Sequence, residues 1–255
     1  MAAVSSGEDP RAFGGSGAQN NLVARLLATQ QTSGTDAGLF GVQDATYDGA
    51  FRQGLALAAL KAAKEKKLSP AVVSGTAWLT TQQCANGLWT AYRSNTATPC
   101  PPVDFDFFTG PDTNSTALAT QGLAAWGQRP LQTQTLASLD AVQGTDGGFP
   151  YLAAPGQASE PSSTALVAQA LIAYKGKPTK APWVENDKDP FEALATFQLG
   201  CESPAADRGA YYYPGIPGPN VFATVQAVVA QAKRKLPVPK TNPTPLPVVT
   251  LTCPA

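Results

Sequence analysis

The chain repeats itself four times. One order of residues recurs: a Leu-x3-Gln helix end, a short loop, then Gly-x-aromatic. It runs Leu27 to Gln31 with Gly38-Leu39-Phe40, and Leu79 to Gln83 with Gly87-Leu88-Trp89. It returns as Leu139 to Gln143 with Gly147-Gly148-Phe149, and as Leu194 to Gln198 with Gly209-Ala210-Tyr211. The glutamines stand roughly 50 to 60 residues apart, a period that marks a repeat architecture. A second marker follows each first one: Gln53-Gly54-Leu55, Gln121-Gly122-Leu123, Gln169-Ala170-Leu171 and Gln226-Ala227-Val228. A unit of this size buries its apolar face only against its neighbours, so the copies must share a core.

Each unit predicts two helices. The first is shorter and partly polar, as in Asn21–Gln31 and Thr133–Gln143, and it ends at a glycine-rich loop. The second is rich in alanine and apolar nearly all round, as in Ala56-Leu57-Ala58-Ala59-Leu60, so it is buried on every side. Asp48, Asn114 or Ser115, Ser162 or Ser163, and Asn220 supply its N-caps. Lys64, Lys175 and Lys233 suit the dipole at its far end. Pro70, Pro130, Pro178 and Pro237 then stop it. The expected class is all-α: an α/α toroid or open crescent of about four helical hairpins, with inner and outer helix layers. Residues 1–20 are expected to be a flexible N-terminal segment, 21–235 the repeat domain, and 236–255 a proline-rich extended tail. Val248–Leu251 is the one β-like run.

Composition narrows the chemistry. Lys+Arg and Asp+Glu balance at 18 each, so the basic excess of a nucleic-acid binder is missing. There is no histidine, which removes the Ser-His-Asp triad and every histidine-ligated metal. Cys84, Cys100, Cys201 and Cys253 form no C-x-x-C pair, which argues against a metal and for two disulfides in an oxidising compartment. Three pairings are possible, and Cys84–Cys100 with Cys201–Cys253 is preferred for local closure. No apolar run has the length of a membrane span. The opening Met1-Ala-Ala-Val carries no signal peptide and reads as a start after a removed export signal. The expected location is secreted or cell-surface, as for an exported bacterial protein.

The stretch Gly75-Thr-Ala-Trp78-Leu79-x3-Gln83-x3-Gly87-Leu-Trp89 closely resembles the QW repeat of squalene and terpene cyclases. Gln143-x3-Gly147-Gly-Phe149 is similar more loosely. Over about residues 20–235 the chain thus resembles the prenyltransferase/squalene-oxidase-repeat superfamily of α/α toroids. The resemblance implies the toroid fold more specifically than any function. Terpene cyclases of this kind use D-x-D-D, and neither Asp104-Phe-Asp106-Phe107 nor Asp187-Lys-Asp189-Pro190 supplies the last aspartate. The zinc site of protein prenyltransferases needs a histidine, and the Cys-Gly-Glu-Gln of thioester domains has no counterpart. The cobalamin carriers of the superfamily need no catalytic residue.

The resemblance therefore implies a non-catalytic domain binding a small amphipathic ligand, corrinoid- or polyprenyl-like, in a central cavity, with no cofactor and no metal. One alternative is a terpene cyclase or prenyltransferase with Asp104 or Asp106 as acid; another is a scaffold holding a second surface protein. Inner-helix starts converge on one mouth of a toroid, so the expected ligand-binding residues are Tyr47, Asp48, Asp104, Asp106, Thr116, Tyr151, Thr164 and Tyr212. The lysine-rich opposite ends are expected to stay outside the site. Beside this stands the structural reading. Gln31, Gln83, Gln143 and Gln198 satisfy backbone groups at helix ends; Phe40, Trp89, Phe149 and Tyr211 pack between helices. Asp48, Asp112, Thr116 and Thr164 sit at inner-helix starts with capping as their default role, and Gln53, Gln121, Gln169 and Gln226 are divided between packing and lining the cavity.

Overall fold

The computed structural model describes residues 1–42, 49–240 and 253. The described chain is mostly helical, with one two-stranded antiparallel sheet. After the short α1 (Ala2–Ser5), eight α-helices follow among the described residues, a first and a second in each sequence unit, named outer and inner after the layers expected of them. They are α2 (Leu22–Leu27) and α3 (Ala50–Ala62), then α4 (Pro70–Thr81) and α5 (Thr113–Ala125). The remaining pairs are α6 (Gln132–Asp140) with α7 (Pro161–Ala173), and α8 (Pro190–Ala195) with α9 (Val221–Gln231). The strands β1 (Trp89–Thr90) and β2 (Pro111–Asp112) belong to unit two. Val248–Leu251 lies outside the described residues, as do Tyr47 and Asp48.

The inner helices pack in series: α3 on α5, α5 on α7, α7 on α9. Outer helix α4 packs against both α3 and α5, and α8 against both α7 and α9. The order follows from side-chain size. Gly54 on α3 and Gly122 on α5 bring the two backbones into contact, and a Cβ built at Gly54 would stand 2.2 Å from the Leu118 carbonyl oxygen. Where glycine is absent, the alanine at the same marker (Ala170, Ala227) is buried in the helix interface.

All four inner helices stop the same way. The residue after the last turn is left-handed: Lys64, Gly127, Lys175 and Lys233. The next amide then reaches back to a carbonyl in the final turn, as Glu65 N–H does to Leu60 and Gly176 N–H to Leu171, a Schellman closure. Lysine takes the glycine place three times, at some conformational cost and with a charge that suits the helix end.

The inner-helix starts are tied to the next unit. Ala50 N–H donates to Ala91 O, two residues past Trp89, and Thr113 N–H donates to Tyr151 O, two past Phe149. At the third junction the first helical residue is Pro161, which has no N–H to place. Cys84–Cys100 and Cys201–Cys253 are both bonded, with Cα atoms 5.6 and 5.5 Å apart, the pairing preferred from local closure. Residues 1–20 carry α1 and a 3-10 turn at Ala18–Asn20. Arg11 bonds the Ala63 carbonyl and pairs with Glu65, which holds this segment against the end of α3.

Candidate functional site

The repeated glutamines bond backbone carbonyls of their own loops and, in units two and three, of the next unit. Gln83 Nε2 donates to Gly87 O in its own loop and to Pro130 O in the next unit. Gln143 Nε2 does the same to Gly147 O and Trp183 O. In unit one the residue with these bonds is Gln30, to Gly38 O and Ala71 O, while Gln31 reaches only Gly41 O. The repeat register in unit one is thus Leu26-x3-Gln30, one residue earlier than the sequence reading. Gln198 bonds Gly209 O and has no such bond to a further unit.

Thr116 and Thr164 are fully buried, each in the first turn or so of its helix. Trp89 N–H donates to Thr116 Oγ1 and Phe149 N–H to Thr164 Oγ1, both at 2.9 Å. Tyr211 N–H donates to Thr224 Oγ1 at the same distance. In unit one this place belongs to Gln53, whose Oε1 accepts from Phe40 N–H. Each Gly-x-aromatic loop is therefore latched to its own inner helix by one side-chain oxygen. The second glutamine marker changes register accordingly. Gln53 occupies the threonine position, Gln121 and Gln169 sit deeper along their helices, and Gln226 matches neither.

The rim at the starts of α5 and α7 is built by two carboxyls that the sequence reading left out of its site. The N-caps there are Asp112, in the capping role read for it at this helix start and not Asn114 or Ser115, and Glu160, in place of Ser162 or Ser163. Asp112 accepts from Ser115 N–H at 2.6 Å, and Glu160 Oε1 from Ser163 N–H at 2.8 Å. Ser163 Oγ lies within hydrogen-bond reach of both Glu160 Oε1 and Asn114 Oδ1, its single proton serving one of them at a time, which brings the two helix starts together. Burial pushes the Asp112 carboxyl up to about 7, with the Ser115 and Asn114 bonds pulling the other way. Burial raises Glu160 as well, opposed by Ser163. Glu160 Oε2 is buried and has no hydrogen-bond partner. Tyr151 stands beside this rim, since Phe149 O accepts from Glu160 N–H and Tyr151 O from Thr113 N–H. A Glu-Pro-Ser-Ser string offers two serines as caps, and nothing in the sequence pattern promotes the glutamate over them.

The other expected residues disperse. Asp104 and Asp106 lie on a tight turn closed by mutual Asp104 and Thr109 backbone bonds. Asp104 Oδ1 accepts from the amides of Asp106 and Phe107. Phe105, Phe107 and Phe108 are exposed around them. Tyr212 packs edge-on against Phe197, ring centres 5.9 Å apart, in the core of unit four. A cleft of 730 Å3 opens beside the Cys84–Cys100 bridge, lined by Thr81, Asn86, Pro99 and Pro101 among others. Arg93 at its wall is committed to the carbonyls of Gln83, Thr96 and Thr98. Among the described residues no cluster of acidic and cysteine side chains suits a metal ion. No helix described is long and apolar enough to cross a membrane. No family model matches the chain, and no curated protein matches it.

Proposed function

We propose that this is an exported, non-catalytic module of the α/α-toroid type, an open crescent of four hairpins that takes a small amphipathic ligand at the rim of inner-helix starts. Corrinoid-like and polyprenyl-like molecules are the expected ligand classes. The observation that carries the reading is Glu160. Its Oε2 is a buried polar atom without a partner, next to Asn114 and Ser163 and close to Tyr151, and an unpaired buried oxygen is costly unless something outside the fold meets it. The two disulfides fit an oxidising compartment. The cyclase alternative needs an acid kept dry, and Asp106 stands in solvent on an exposed turn. The scaffold alternative draws on the exposed Phe105, Phe107 and Phe108 tip and on the exposed Val221, Phe222, Val225 and Val228 of α9.

A thermal-shift screen with cobalamin, isoprenoid phosphates and sterols tests the reading. A ligand at about a hundred times its dissociation constant adds about 2.7 kcal/mol to stability. The expected result is a shift with one of these classes that shrinks in Glu160→Gln. No shift with any class, or a shift that Glu160→Gln leaves unchanged, counts against it. Turnover of squalene or a prenyl diphosphate that disappears in Asp106→Asn restores the cyclase reading instead.

A further inference from the structure

The opposite end of the inner helices has a surplus of donors. Tyr174 closes α7, and its side chain is 4% exposed; Thr120 and Gln121 on α5 are 1% and 0% exposed. Gln121 Oε1 accepts from Leu236 N–H at 2.8 Å, which turns Nε2 away, and that Nε2 finds no acceptor. The Tyr174 hydroxyl comes within reach of Thr120 and Thr135 yet makes no well-formed bond, and Thr120 Oγ1 and Arg129 Nε are also buried without partners. Three cations neighbour these groups: Lys175 follows Tyr174 in the chain, Lys235 precedes the Leu236 that bonds Gln121, and Arg129 lies close to Tyr174. Arg129 acts on both Tyr174 and Lys235, and Lys175 acts on Lys235. Burial lowers the Lys235 ammonium, and its two cationic neighbours lower it further. None of the three has an ion pair; among the described residues the ion pair is Arg11 with Glu65.

Helix C-termini attract lysine by their dipoles, and that alone accounts for Lys175. It does not account for Gln121 and Arg129, each of which holds an N–H away from water without an acceptor, nor for Tyr174, whose buried hydroxyl makes no well-formed bond. The carbonyls at the helix end are already used: Leu171 O accepts from Gly176 N–H, and Leu123 O from Gln128 N–H. What the place lacks is negative charge and acceptor oxygens together. A phosphate group has both, and charge-assisted bonds to it are the strong kind.

We infer that Arg129, Lys175 and Lys235, with Tyr174 and Gln121 beneath them, form a binding site for a phosphate-type oxyanion at the C-terminal ends of α5 and α7. This is a second site, at the end of the molecule opposite Glu160, and it stands apart from the rim reading. The tail residue Leu236 lies over it through its bond to Gln121, so occupancy and the seating of the tail are coupled. The oxyanion is either free or the headgroup of a lipid.

Two assays separate these sources. Calorimetric titration uses inorganic pyrophosphate at fixed ionic strength. Co-sedimentation uses phosphatidylcholine vesicles with and without phosphatidic acid. The expected result is saturable binding in one assay, weakened at least tenfold in Arg129→Gln and in Lys235→Gln, with Lys64→Gln at the end of α3 binding as wild type. Tyr174→Phe should also weaken binding while leaving the free protein folded and at least as thermostable. Circular dichroism confirms the fold of each variant. The inference fails if neither assay saturates, if chloride at equal ionic strength competes fully, or if Arg129→Gln and Lys235→Gln bind as wild type.

Discussion

Single side chains in this protein do work that their repetition disguises. Thr116 is the clearest. Its oxygen receives Trp89 N–H, and its own hydroxyl donates to Asp112 O at 2.7 Å. Thr116→Val keeps the shape and leaves a buried amide without an acceptor, which costs about 1–3 kcal/mol. Urea unfolding should show a lowered midpoint with an unchanged slope; an unaltered midpoint would dismiss the latch. Asp112 makes a different test. Its folded carboxyl sits at about 7 against an ordinary value of 3.8, so the folded state binds the extra proton. Its contribution is therefore fully present below about pH 4 and is lost as pH rises toward 7. Asparagine is an equally good cap. Asp112→Asn should flatten the fall in stability between pH 4 and 7, measured by denaturant titration at several pH values. A wild-type curve with no fall across that window would refute the assignment.

Elements hold each other through close approach and cross-links. An ordinary helix interior gains about 1 kcal/mol when glycine becomes alanine. Gly54→Ala should instead destabilise by about 1–3 kcal/mol or more, because the new methyl meets the Leu118 carbonyl at 2.2 Å. Calorimetric melting decides it, and a raised melting temperature would mean that α3 and α5 do not touch there. The Cys84–Cys100 bridge spans 16 residues, and on the chain-entropy account its loss costs about 3 kcal/mol. The paired serine variant should melt lower by that measure, with circular dichroism intact at low temperature; equal melting would show that the loop gains nothing from closure.

These elements were largely legible in the sequence, because Leu79-x3-Gln83 and Gly87-x-Trp89 meet the same surroundings in every unit. Register was less so. Gln30 and Gln31 are adjacent, and only the bond to Ala71 O tells them apart. Gln53 is followed by the same Gly-Leu as Gln121, yet it stands where the other units put threonine. The Tyr174, Arg129 and Lys235 cluster had no local signature, since it joins residues from three units that only the packing of α5 and α7 brings together.

At the scale of the whole molecule, unit four differs from the other three in having no further unit packed on it among the described residues. Gly38, Gly87 and Gly147 have positive φ, and a Cβ on each would strike the next unit: Ser74 O at 2.3 Å, Thr135 N at 2.3 Å and Lys188 O at 2.5 Å. Gly209, the equivalent in unit four, has φ of +86° and, among the described residues, nothing nearer than its own Gln198 at 4.0 Å. Gln198 likewise lacks the cross-unit bond of Gln83 and Gln143, and the outward face of α9 shows Val221, Phe222, Val225 and Val228 to solvent. In a stacked array each unit draws stability from both neighbours, and a terminal unit from one. Two substitutions read this directly. Gly209→Ala bears only the left-handed backbone cost, about 1–2 kcal/mol. Gly147→Ala bears that cost and the overpacking against Lys188 as well, a further 1–3 kcal/mol or so. Denaturant unfolding at low protein concentration should therefore rank Gly147→Ala well below Gly209→Ala. Equal losses would mean that unit four has a neighbour in solution, and that the array does not end at α9.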